Sequence, residues 1–135
     1  PRPEPPVPAA LAKRGFTLIE LLIVVVIIGI IAAIAVPKFQ STKGKANAAA
    51  LRADLRNLAS AQEAYFYEHA RYTTDTTNLK YKGSKGVYLT IIAANTGGWS
   101  AKATHPQSFP LTCAIFWGQV SAPTPGDPEG VVVCR

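Results

Sequence analysis

Hydrophobic positions are distributed along this chain in three different ways. From Phe16 to Val36 they are continuous: FTLIELLIVVVIIGIIAAIAV carries Glu20 as its only charged residue. Twenty-one residues at the helical rise span roughly 30 Å, the thickness of a bilayer hydrocarbon core. Past Pro37 the pattern becomes periodic. Leu51, Leu55, Leu58, Gln62, Tyr65 and His69 recur at spacings of three and four, which places them on one helix face, with Ala46, Ala49, Ala50 and Ala53 beside them. The two stretches together predict one helix from about Phe16 to Ala70. Within it, Gly29 lowers helix propensity, and Pro37 removes an amide donor and crowds the carbonyl of Ala33, so a bend or loosening is expected between them.

The third pattern is short and alternating. RYTTDTTNLKYKGSKG, Arg71 to Gly86, has no period and predicts a loop. VYLTIIAA (Val87–Ala94) and WSAKAT from Trp99, separated by the turn signal ANTGG, predict a hairpin. LTCAIFW (Leu111–Trp117) and VVVCR (Val131–Arg135) follow as two further strands, separated by QVSAPTPGDPEG. A small antiparallel sheet needs an apolar cover on one face, and the stripe from Leu51 to Tyr65 can supply it. The expected fold class is α+β: a long N-terminal helix whose second half packs on a four-stranded antiparallel sheet. The expected organisation is a leader at residues 1–15, a membrane or core segment at 16–37, an amphipathic second half at 38–70 and a globular head at 71–135.

Composition adds orientation and compartment. The chain has 135 residues and a formal net charge of +6. Lys38, Lys43, Lys45, Arg52 and Arg56 form a basic collar after the apolar run, suited to anionic lipid, DNA or a neighbour's carboxylates. Basic residues flank the run on both sides, Lys13 and Arg14 before it, so charge alone does not orient it. Five prolines among the first eight residues exclude a regular helix there. The run is longer than the apolar core of a cleaved secretory signal and leads straight into more helix, which favours a retained anchor. The only two cysteines, Cys113 and Cys134, enclose a loop whose closure contributes about 3 kcal/mol in the chain-entropy model; a disulfide places the head outside the cytoplasm.

Thr17 and Glu20 have the spacing of a capping box, in which each reaches the other's amide. Glu20 also faces sixteen apolar residues, where an unpaired charge is costly, and an α-amino group created by cleavage after Gly15 would be a fitting partner. KRGFTLIELL, Lys13 to Leu22, with the apolar run, Gly29 and Pro37, resembles the processing site and first helix of type IV prepilins and type II secretion pseudopilins. The resemblance implies a pilin-like fold, cleavage between Gly15 and Phe16 by a membrane-embedded prepilin peptidase, and N-methylation of Phe16. It further implies a register role for Glu20 during assembly and a loss of helicity between Gly29 and Pro37 in the filament.

The function expected from this resemblance is a structural subunit that polymerises into a type IV pilus serving adhesion, motility or DNA uptake. Its partners would be identical subunits, the peptidase and an inner-membrane assembly platform, with DNA or surfaces reached through the filament. It would sit in the inner membrane before assembly and in an extracellular fibre after it. The major pseudopilin of a type II secretion system, periplasmic, is the near alternative; a monomeric membrane-anchored binding module is the distant one. Enzymatic, cofactor and metal roles are not expected. His69 and His105 stand apart from any nucleophile, and Asp127 with Glu129 offers too few oxygens for calcium unless carbonyls complete the set.

Overall fold

The computed structural model describes residues 1–3 and 15–135; most of the expected leader, residues 4–14, lies outside the described residues. The chain divides into two compact units, Pro1–Lys38 and Phe39–Arg135. A single helix, α1 (Leu18–His69), contributes to both. Gly29 and Pro37 lie within it, and it carries helical assignment through both. It ends where Ala70 adopts φ 53°, a left-handed conformation that cannot continue the helix, and the Ala70 amide donates to the Phe66 carbonyl at 2.8 Å.

In the second unit, four strands form a meander in the order β1 (Tyr88–Ala94), β2 (Gly98–Thr104), β3 (Thr112–Gly118) and β4 (Val133–Cys134), each antiparallel to the next. The expected hairpin and all four strands are present, the last shorter than its apolar sequence predicts. The loop after α1 acquires one short 3₁₀ turn at Thr76–Asn78, capped by Asp75. The tight β1–β2 connection is made by Asn95, whose Oδ1 accepts from the amides of Gly97 (2.7 Å) and Gly98 (2.9 Å). Such side-chain turns are the reason asparagine is favoured there. Gly98 and Gly118 face each other across β2 and β3; a Cβ on Gly98 would lie 2.2 Å from the Trp117 carbonyl oxygen, so only glycine fits.

The core is a single cluster. Leu51, Leu55 and Leu58 of α1 are fully buried with Ile91 of β1, Trp99, Ala101 and Ala103 of β2, and Cys113 and Ile115 of β3; Tyr72 and Leu79 close it from the loop. The alanines of β2 leave room for the leucines to approach the sheet. Each leucine contributes roughly 1.5–3 kcal/mol by burial.

The buried face of α1 differs in part from the one its periodicity predicts. Ala46, Ala49 and Ala53 are exposed, and Asp54 takes a core position at 1% exposure. His69 is exposed too, stacked on Tyr65 with ring centroids 4.1 Å apart, and its Nδ1 lies 3.1 Å from the Tyr65 carbonyl. Full burial along the stripe ends at Gln62, and Tyr65 is half-buried.

Candidate assembly surface

In the first unit, the apolar half of α1 has no cover. Every large side chain from Leu18 to Val36 is between 48% and 88% exposed, which water does not tolerate over such a length. Among the described residues, α1 is the one helix long and apolar enough to cross a membrane. No atom approaches within 4 Å of a Cβ built on Gly29, so its lack of a side chain answers no packing need within the subunit.

At the start of α1 the capping box is formed. The Thr17 amide and hydroxyl both donate to Glu20 Oε2 at 2.8 Å, and the Glu20 amide donates to Thr17 Oγ1 at 3.3 Å. Glu20 therefore has a local partner within the subunit. Phe16 stands just outside this box and is 81% exposed.

Two loops of the second unit are each fastened to a specific element. The loop after α1 is clamped at both ends by helix side chains. Gln62, fully buried, donates from Nε2 to the Thr73 carbonyl (2.6 Å) and accepts at Oε1 from the Thr73 amide (3.1 Å), imitating one rung of a strand. Asp54 accepts from the Ser84 amide and the Ser84 hydroxyl, both at 2.8 Å. A buried carboxylate is tolerated because both its oxygens are used. Sequence reading had no reason to single out Asp54; it stands about 40° beyond Leu58 around the helix, at the edge of the leucine stripe, and a charge there ordinarily reads as an exposed position.

Two tyrosines of this loop are tuned by their surroundings. Burial, then the hydrogen bond from the Tyr72 hydroxyl to Glu63 Oε1 (3.0 Å) and the Glu63 charge, push the Tyr72 phenol up to about 12 from an ordinary value of 10.0. Tyr81 is also raised to about 12, first by burial and then by the negative Asp54 carboxylate. Because the folded values exceed the unfolded ones, both groups support the fold fully below pH 10 and lose that support as pH rises through about 12. Head stability is thus expected to fall between pH 10 and pH 12, and Tyr72→Phe with Tyr81→Phe to flatten that slope, as measured by chemical denaturation of the detergent-solubilised chain across pH.

The second loop lies between β3 and β4. Cys113 and Cys134 are directly opposite in register and joined by a disulfide with Cα atoms 4.0 Å apart. Thr112 and Arg135 extend the pairing by exchanging backbone bonds of 2.8 and 2.9 Å. Within the loop, Glu129 Oε1 accepts from the Gly118 amide at 2.7 Å, the Gly130 amide donates to the Phe116 carbonyl at 2.9 Å, and Asp127 pairs with Arg135. The two carboxylates weighed for calcium thus serve different partners, and Arg135 supplies the cation that Asp127 needs. No group of three or more metal-ligating side chains exists among the described residues.

A four-stranded head carried on a helix with an uncovered membrane-length half defines a pilin-like architecture. Residues 11–36 match the family model of the prokaryotic N-terminal methylation motif. The type IV wide pilus major component PilA4 of Thermus thermophilus is 34% identical over 96 residues, covering 68% of this chain and 73% of that one. The type IV major pilin protein PilA of Myxococcus xanthus is 41% identical over 74 residues, 55% of this chain and 34% of its own. The type II secretion system core protein G of Klebsiella pneumoniae is 37% identical over 68 residues, 50% of this chain and 49% of its own. The matches thus span about a third of the Myxococcus protein and about half of the Klebsiella protein. The chain belongs to the family of type IV pilins and type II secretion pseudopilins. Membership makes it a structural protein rather than an enzyme.

Proposed function

We propose that the chain is a subunit of a type IV pilus that polymerises through the apolar half of α1. The observation that carries this reading is that every large side chain from Leu18 to Val36 is exposed. Once the helix leaves lipid, only bundling with identical helices removes that surface, and at about 25 cal/mol per Å² it outweighs surface ion pairs. Glu20, adjoining a new Phe16 terminus, sets register; within the subunit its Oε2 accepts from the Thr17 amide and hydroxyl. The role of Gly29 and Pro37 follows from the solvent. In lipid each backbone group needs an internal partner and the helix stays closed; in a bundle, neighbours shield a stretched backbone.

A prepilin peptidase acting between Gly15 and Phe16 and an inner-membrane assembly platform complete the partners, and the fibre would lie outside the cell. The pilus reading is favoured over the pseudopilus by the Thermus pilus component, of which the alignment covers 73%; the similarity to secretion core protein G keeps the shorter periplasmic filament as the second reading. Fibres sheared from cells expressing the chain are expected to consist of this subunit beginning at an N-methylated Phe16 by mass spectrometry, with non-helical backbone between Ile30 and Val36 in a filament map. Fibres retaining Arg14 and Gly15, or cells bearing none, would refute it.

A further inference from the structure

Lys45, Arg52, Arg56 and Glu63 recur along α1 at intervals of seven, four and seven residues. At 3.6 residues per turn they fall within an arc of about 40°, on a side of the helix turned from the centre of the buried face. All four are exposed. Arg52 and Arg56 are like charges one turn apart, an arrangement that opposes the helix unless an anion lies nearby. Among the described residues neither forms an ion pair within the subunit.

The opposite chemistry lies on the same subunit. A groove of about 390 Å³ is bounded by Ala59, Ser60 and Glu63 of α1 and by Trp99, Ile115 and Trp117 of the sheet. Gly130 closes its rim, and a Cβ there would lie 3.0 Å from the Trp117 ring, tighter than an ordinary contact. Trp117 is 47% exposed, in contrast to Trp99 at 1%. Glu63 uses Oε1 for the Tyr72 hydroxyl and has its second oxygen to offer. Glu129, bound to the Gly118 amide beside Trp117, adds a second negative charge at this end of the head. An aromatic face beside a carboxylate is a receptor for a guanidinium, through cation–π attraction and a charge-assisted hydrogen bond.

We propose that the Glu63–Trp117 groove of one subunit receives the Arg52 and Arg56 side chains of a second copy of this chain. The inference rests on the reading of the chain as a polymer-forming subunit and goes further by naming which surfaces of the heads meet. The stripe carries its cations toward one end and its anion at the other, so copies packed in parallel with an axial offset bring unlike charges together, and copies without offset bring like charges together. The arrangement therefore selects a stagger, as charge patterns at helix interfaces select register.

The test is a charge swap in the full chain, read as the amount of fibre sheared from cells at equal subunit expression. Glu63→Arg alone and Arg52→Glu with Arg56→Glu are each expected to lower fibre yield by at least about tenfold. The triple variant is expected to return to within about threefold of the parent. Tyr72→Phe, which removes the intramolecular bond to Glu63, is expected to leave yield unchanged. Normal yield from either reversal, or a triple variant no better than the reversals, overturns the inference while leaving the polymer reading in place. Loss of yield in Tyr72→Phe also overturns it, since Glu63 would then act on its own head. Absence of fibres from the parent chain overturns both.

Discussion

Trp99→Ala is expected to destabilise the head by about 3–5 kcal/mol, the range for removing a fully buried aromatic side chain. Trp99 is the largest of the fully buried side chains and belongs to the same cluster as Leu51, Leu55 and Leu58, so its removal opens a void on the helix-facing side of the sheet. Domains of this size are stable by only about 5–15 kcal/mol, so the loss consumes a large share of the total. In thermal unfolding of the detergent-solubilised chain the midpoint should drop by more than about 12 °C. Trp117→Ala is the control. Trp117 is half exposed, so its truncation should cost well under half as much. Equal losses for the two would mean that the core is not organised around Trp99.

Replacing both Cys113 and Cys134 by Ser is expected to cost about 3 kcal/mol, from the entropy restored to an unfolded chain no longer closed across 21 residues. The effect should be concentrated. β4 is two residues long and pairs with β3 at two register positions, so it has little else to hold it. Amide exchange is expected to rise most in β4 and the loop before it, including the Gly130 amide bonded to Phe116, while β1 and β2 keep their protection. Uniform loss of protection through the sheet would show that the last strand is part of the cooperative core rather than an appendage secured by the cystine.

The alkaline sensitivity of Tyr72 and Tyr81, the Trp99 core and the cystine bear on the same design: a head small enough that each fastening matters. Gln62 and Asp54 hold one loop and the Cys113–Cys134 bridge holds the other.

How much of this was legible in the sequence depends on the range of the interactions. The helix, the four strands and the membrane-length run are stated by local periodicity, because a period of 3.6 or 2 and an unbroken apolar stretch report which solvent each face meets. The capping box of Thr17 and Glu20 spans three residues and is equally local. Gly15, Phe16 and Glu20 were marked by a contiguous motif. The role of Asp54 was not legible, since an acid in a leucine stripe is explained only by Ser84, thirty residues later in the chain. His69 shows the converse: its spacing continues the stripe, but its side chain is exposed.

The sequence by itself determined where this chain can span a membrane, where its helix and strands lie, and to which family it belongs, because each of those is written in neighbouring residues. Only the tertiary structure decided which face of α1 is core, that Asp127 meets Arg135 and Glu129 the Gly118 amide, and that Glu63 and Trp117 border one groove. These depend on side chains distant in the chain, brought together by the registry of β3 against β2 and β4 and by burial of the Leu51–Leu58 face. No local pattern encodes such a meeting, because it is the shared desolvation of remote residues that sets it.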